Sequence, residues 1–187
     1  MKKILLLSVA LIGVAAGLFA GFWDWSTPYQ GPDKDVITLV ITGNYRKPRA
    51  MAELIQAENS QPFILLPYQG AKGIFFCPRG PNAQALEIQA DQFAQFVVFL
   101  NPKRIIILGD DRYVPIEYRQ LLEYNGFSPV TFSGNWDKVA NDVAQLLRLQ
   151  RLPDNFRRVV KETTGNHIPG QGRDMQDVGT VIAIDNK

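Results

Sequence analysis

Three short segments gather the residues whose types and spacing could do chemistry: Thr42-Gly43-Asn44-Tyr45-Arg46-Lys47, Gly109-Asp110-Asp111-Arg112-Tyr113 and Ser133-Gly134-Asn135-Trp136-Asp137-Lys138. The first and third repeat one order of types: hydroxyl, glycine, asparagine, aromatic, charge, lysine. A glycine between a strand and a helix permits a sharp turn and keeps backbone N–H groups open to a ligand at the helix start. Arg46, Lys47, Arg49, Arg112 and Lys138, with the amides of Asn44 and Asn135 and the rings of Tyr45, Tyr113 and Trp136, suit an anionic or sugar-containing ligand. The expected binding set is Gly43, Asn44, Tyr45, Arg46, Lys47, Gly109, Arg112, Gly134 and Asn135. The competing reading is an ordinary solvated rim whose Asp110, Asp111 and Asp137 balance the cations.

Catalytic chemistry finds less support. Asp110-Asp111 at a strand end could hold a divalent cation for phosphoryl transfer. Adjacent aspartates point in different directions, however, and no third carboxylate is placed by spacing; an aspartate capping a helix after Gly109 is the simpler role. His167, the single histidine, sits in a glycine-rich stretch, and a pairing with Cys77 or Ser133 lacks the strand–turn–helix elbow of a catalytic nucleophile. The close glycines between Gly165 and Gly172 lack the preceding strand and following helix of a dinucleotide fingerprint. Cys77 is the sole cysteine; after Ile74, Phe75 and Phe76 it reads as a buried structural thiol that forms no intrachain disulfide. No catalytic residue, metal or cofactor is assigned.

The elements that must position these segments alternate. Val36–Ile41 is a β-branched apolar run without polar alternation, the pattern of a parallel strand covered on both faces. Pro48 near a helix start precedes the stripe Ala50, Met51, Leu54 and Ile55. Pro62–Leu66 and Ile74–Cys77 read as strands, and Arg79–Asn82 as a loop. Asp91 is the expected N-cap of a helix carrying Phe93, Phe96, Val97 and Leu100, ended by Asn101-Pro102. Arg104–Leu108 is the clearest strand, closed by Gly109. A helix over Pro115–Tyr124 turns Ile116, Leu121 and Leu122 inward and stops at Gly126. Pro129–Phe132 is a strand, and Trp136–Leu149 a helix burying Val139, Val143, Leu146 and Leu147. Short connections between such elements imply βαβ crossovers and a three-layer α/β/α fold with a mainly parallel sheet, Rossmann-like in kind. In that fold all strand-end loops emerge on one edge, where ligands bind and helix N-termini add positive potential.

The ends of the chain differ from this middle. Lys2 and Lys3 precede an unbroken apolar run, Ile4–Ala20, in the order of a secretory signal or a retained membrane anchor, with Ala16 and Ala20 as small residues for cleavage. No cysteine near its end marks a lipoprotein. The chain of 187 residues carries 20 basic and 18 acidic groups, and residues 1–20 hold two of the lysines and no acid. The remainder is therefore charge-balanced, which argues against a general nucleic-acid binder. Residues 21–35 form a polar and aromatic connector, Phe22-Trp23-Asp24-Trp25 then Pro28, Gly31 and Pro32, suited to a membrane interface or to a strap on the domain. Residues 36–161 form the α/β domain, ending in a basic stretch, Arg151–Lys161. Residues 162–187 read as a flexible tail, with Val178–Ile184 as a last strand at a sheet edge. Export would place the mature chain outside the cytoplasm, in the periplasm or secreted, touching the membrane only through residues 1–20.

In order, these segments resemble the type-2 cell-wall-binding repeats found in tandem on bacterial surface proteins. Thr42-Gly43-Asn44-Tyr45-Arg46 through Ala50 and Ala52 resembles the opening turn and alanine-rich helix of a repeat. Pro62-Phe63-Ile64-Leu65-Leu66 resembles its middle strand, and Leu100-Asn101-Pro102-Lys103-Arg104-Ile105-Ile106-Ile107-Leu108-Gly109 its closing strand. Val130-Thr131-Phe132-Ser133-Gly134-Asn135-Trp136 resembles the opening of a next repeat. Gly-Asn-Tyr-Arg stands where the family has Gly-x-Asp-Arg-Tyr, and Asp110 replaces the second closing glycine. The resemblance covers Val36–Leu149 and implies non-covalent attachment to an anionic envelope polymer or glycan. Members usually carry three such units that assemble, which implies self-association of a shorter chain. The leading expectation is thus a non-catalytic envelope-binding domain. The alternatives are an extracytoplasmic metal-assisted hydrolase of a phosphate- or sugar-containing substrate, using Asp110 or Asp111, and an assembly protein whose rim binds another protein.

Overall fold

A strand with apolar side chains on both sides must be covered on both sides, and β1 (Thr38–Gly43) is buried along its whole length. The computed structural model describes residues 36–68, 73–78 and 84–165. The expected export segment, the aromatic connector, the Arg79–Asn82 loop, His167 and the strand at Val178–Ile184 lie outside the described residues. Among those residues β1 lies inside a six-stranded sheet with β2 (Phe63–Leu66), β3 (Ile74–Cys77), β4 (Leu86–Ile88), β5 (Arg104–Leu108) and β6 (Val130–Phe132), in the order β4-β3-β2-β1-β5-β6. β1 pairs parallel with β2 and with β5, and β5 parallel with β6. The four strands expected to run together therefore do. β3 and β4 continue the sheet antiparallel beyond β2, which makes it mixed.

Because side chains alternate along a strand, each face of the sheet collects its own core. Leu39, Ile41, Ile64, Leu66, Ile105 and Ile107 meet Phe93, Phe96, Val97 and Leu100 on one face. These last four belong to α2 (Phe93–Leu100), beside which lies α3 (Ile116–Tyr124). On the other face Val40, Phe63, Leu65, Ile106 and Leu108 meet Met51, Ala52 and Ile55 of α1 (Arg46–Asn59). Val139, Ala140 and Val143 of α4 (Trp136–Leu147) and Leu152 and Phe156 of α5 (Leu152–Gly165) complete that core. Helices thus cover both faces. Among the described residues no helix is long and apolar enough to cross a membrane.

Several local expectations need correction. β1 begins two residues later than expected and runs through Gly43, because its ladder to β2 continues to the Gly43–Leu66 pair. Asp91 caps nothing: it lies inside a 3₁₀ turn, Ala90–Gln92, that leads into α2. Ile116 and Leu121 stay 38% and 39% exposed, since the short α3 lies over the sheet on Leu122 with Tyr118 packed beside it. Leu146 is likewise 39% exposed, because α4 stops at Leu147 with Arg148 in left-handed conformation. Ala140 takes the place expected of Leu146 in the core. β6 is a sheet edge with Val130 exposed, so its apolar run is not covered on both sides. β4 was not foreseen; its three residues are too few for a readable period. Of the stretch read as basic, Leu152–Lys161 is helical and belongs to α5, which continues to Gly165 and packs Leu152 and Phe156 into the core.

Phe96 is fully buried and packs edge-to-face on Phe76 at 5.0 Å. Phe96→Ala is expected to cost about 3–5 kcal/mol, and Ile116→Ala, half-exposed on α3, no more than about 1 kcal/mol. Urea denaturation of both variants checks the difference.

Candidate functional site

The chain leaves the carboxyl ends of the four parallel strands at one edge, and the first requirement there is space. Gly43 ends β1, and a Cβ on it would collide with the Tyr113 carbonyl oxygen and stand 2.8 Å from the Tyr45 ring. Gly109 follows β5 with φ +107, and a Cβ there would stand 2.7 Å from the Tyr113 Cβ. The two glycines therefore make room for one residue, Tyr113, between the ends of the two central strands. The Thr42 hydroxyl, fully buried, donates to the Leu108 carbonyl at 2.7 Å and ties those ends together. Asn44 N–H donates to Leu66 O and Gly109 N–H to Phe132 O, both at 2.8 Å, extending the ladders outward on either side.

Around this seat the rings form a row. Tyr113 stands edge-to-face with Tyr45 at 5.2 Å and 87°, and with Trp136 at 5.3 Å and 81°. Tyr45 in turn meets Tyr68 at 6.3 Å and 67°. The row Tyr68–Tyr45–Tyr113–Trp136 follows the strand order β2-β1-β5-β6, with one ring from the connection after each parallel strand. All four are half-buried. Edge-to-face contact places the positive rim of one ring on the negative face of the next and contributes about 0.5–1.5 kcal/mol per pair.

The expected site residues divide around this row. Gly43, Tyr45 and Gly109 build it. Asn44 contributes its backbone to the sheet ladder, as described. Tyr45 is also the residue before α1, in extended conformation and without a side-chain cap, so the N–H groups of Arg46 and Lys47 open the helix and Pro48 has none to satisfy. Gly134 has φ +100 with open space around it. Asn135 is a cap: its Oδ1 accepts from the N–H groups of Asp137 at 2.9 Å and Lys138 at 3.2 Å. Its side chain is therefore spent on α4. Lys138 pairs with Asp142 at 2.6 Å and Arg49 with Glu53 at 2.8 Å, both one helical turn apart.

The two aspartates are held by arginines. Arg112 forks onto Asp110, with Nη2 2.7 Å from Oδ2 and Nε 3.2 Å from both oxygens, and its backbone N–H donates to Oδ1 at 3.1 Å. The N–H groups of Tyr113 and Val114 donate to the Asp110 carbonyl, so Asp110 caps a tight turn rather than a helix. Arg112 lies 5.9 Å from the centre of the Tyr113 ring. Hydrogen bonds from the Arg112 side chain hold the Asp110 carboxyl below the usual carboxylate range, and the arginine is raised in turn, first by the same contact. That pairing is complete above the ordinary carboxylate pKa and is lost as pH falls through the lowered value. Asp111 accepts from a different arginine, Arg119, at 3.1 Å. Among the described residues no cluster of three or more His, Cys, Asp or Glu is placed to hold a metal. Burial pushes the Cys77 thiol up to about 12, so it stays protonated.

Comparisons with family models, curated proteins and solved structures give no match for this chain. Tyr68 is the rim residue that the sequence reading missed. It follows β2 by two positions, as Tyr45 follows β1, and that parallel was the available signal.

The two glycine classes separate experimentally. Gly43→Ala must push the Tyr113 carbonyl aside and is expected to cost about 2–4 kcal/mol and to disturb the row. Gly134→Ala meets no atom and is expected to cost only about 1 kcal/mol for its left-handed backbone. Denaturation midpoints and near-ultraviolet circular dichroism, which reads tyrosine and tryptophan packing, check both.

Proposed function

We propose that the carboxyl edge of the sheet is a non-catalytic surface for a glycan-type polymer with anionic groups, in the cell envelope. The aromatic row carries this reading. A sugar ring presents a face of C–H groups that packs on an aromatic ring, and its hydroxyls reach the polar tips of tyrosines. Four half-buried rings side by side along one edge suit successive units of a chain rather than a single small molecule. Arg46, Lys47 and Arg112 supply cations for carboxylate or phosphate substituents, and the ordered resemblance of Val36–Leu149 to envelope-binding repeats agrees with such a ligand. The expected amide of Asn135 is not part of this reading, because it caps α4. The hydrolase alternative has little to work with at Asp110 and Asp111: each is paired with an arginine, and Asp110 is held ionised, the wrong state for a general acid.

Titration calorimetry with a soluble anionic polysaccharide, its neutral counterpart and a single-stranded oligonucleotide tests the proposal. Tyr45→Ala and Trp136→Ala are each expected to lose about 2 kcal/mol of binding, roughly thirtyfold in Kd. Replacing Arg46, Lys47 and Arg112 together by alanine should remove most of the salt-dependent part, which fades as the Debye length falls to about 8 Å. Asn135→Ala should leave affinity unchanged while lowering stability by about 1 kcal/mol. A folded Tyr45→Ala/Trp136→Ala double variant that binds the polysaccharide like the parent would sink the reading. Preference for the oligonucleotide would reassign the row to base stacking.

The same reading places the domain outside the cytoplasm, with residues 1–20 as the export segment. A reporter active only after export, fused after Asp35, is expected to give signal; activity solely from a cytoplasmic reporter overturns this placement.

A further inference from the structure

The pair Asp110–Arg112 lies in the turn that carries Tyr113, at the middle of the aromatic row. The turn itself does not need the guanidinium. Its backbone is closed by the Asp110 carbonyl, which accepts from the N–H groups of Tyr113 and Val114, and by Asp110 Oδ1, which accepts from the Arg112 N–H at 3.1 Å. An asparagine would supply the same acceptors. Exposed ion pairs add little to stability, and this one leaves the arginine side chain 81% exposed and the aspartate 38%. What the fork changes is the chemistry offered to a ligand.

A guanidinium holds about five N–H donors and a carboxylate about four lone-pair sites. The fork uses Nε and one hydrogen of Nη2. Among the described residues no acceptor meets Nη1 or the second Nη2 hydrogen. The carboxylate accepts three N–H groups, one of them shared between its oxygens, and so keeps a lone pair. Donors and an acceptor therefore stand side by side with their charges cancelled. An anion gains little from such a pair unless it displaces Asp110. Neighbouring hydroxyls match it, because one accepts from the guanidinium while the next donates to the carboxylate. The guanidinium lies 5.9 Å from the centre of the Tyr113 ring, so these polar groups adjoin an aromatic surface. A pyranose asks for that combination, with its hydroxyl rim and its apolar face. Anionic substituents are left to the Tyr45 end of the row, where Arg46 and Lys47 open α1. We propose that Asp110, through its fork with Arg112, makes the middle of the row a seat for an uncharged sugar unit bearing two neighbouring hydroxyls. Asp110 is then the residue that sets which units of a glycan the row accepts there. This inference rests on the glycan reading of the row.

Polygalacturonate and its methyl-esterified form are the probes, because both carry neighbouring hydroxyls on each unit and differ in charge. Titration calorimetry compares the parent with Asp110→Asn and Asp111→Asn. Each substitution removes one negative charge from the same turn, and Asp111 pairs instead with Arg119 of α3, so the two share any effect of the general field. Asp110→Asn is expected to weaken binding of the neutral ester about tenfold and to tighten binding of the anionic polymer about threefold, through the released guanidinium. Asp111→Asn should leave the ratio of the two affinities near that of the parent. An equal shift in both variants would reduce Asp110 to part of the surface field, and an Asp110→Asn variant with the parent's ratio would make the fork a bystander. Each of these overturns the inference and leaves the glycan reading standing, as does a parent that binds only the anionic polymer. A parent that binds neither form withdraws the glycan reading and the inference together. Near-ultraviolet circular dichroism like the parent's shows that Asp110→Asn keeps the row. Should it differ, Arg112→Gln, which removes the donors and keeps the backbone of the turn, must itself weaken the neutral ester about tenfold, and its failure to do so overturns the inference.

Discussion

The close approach of β1 and β5 at their carboxyl ends governs the rest of this molecule. The Tyr113 carbonyl comes so near Gly43 that no side chain fits between them, and Thr42 closes the same junction with a buried hydroxyl. That junction holds Tyr113 as the middle ring, and through it Tyr45 on one side and Trp136 on the other. It is also where the connections diverge, the crossover after β1 leading to β2 on one side and the crossover after β5 to β6 on the other. Crevices of open α/β sheets form at such a reversal of strand order. The tightest backbone packing and the richest surface chemistry therefore coincide.

The charges of the same edge are less free than their number implies. Arg112, Lys138 and Arg49 each hold a carboxylate within a few residues along the chain. Exposed pairs of this kind contribute little to stability. Their larger effect is on the field of the edge, which the neighbouring carboxylates mute.

Much of the fold was legible because the parallel strands are continuous apolar runs. Arg104–Leu108 and Ile74–Cys77 fall where the residue types place them. Asn101 and Gly126 also end their helices as read, through left-handed backbone that each tolerates. The failures in the helices share one physical source: the number of apolar residues in a helix does not say how wide its buried stripe is. α3 and α4 lie at the flanks of the sheet, so Ile116, Leu121 and Leu146 reach past the core into solvent. α5 was read as charge because its Arg and Lys are conspicuous, whereas Leu152 and Phe156 do the packing. At the rim, sequence located three of the four turns but weighted the cations and amides. The rings prove to be the contiguous feature, because adjacency across strands is set by sheet order, which a linear pattern does not contain.

The pairing of β1 with β5 also bears on how the chain is made. Residues 38–42 are matched with residues 104–108, so the flank of β1 opposite β2 gains its partner only after more than half the chain has been synthesised. Until then an inner strand of the finished sheet is an open edge of apolar residues, with backbone groups exposed to any passing strand. Such a nascent chain cannot close its sheet early. For the same interval it depends on being kept apart from its neighbours.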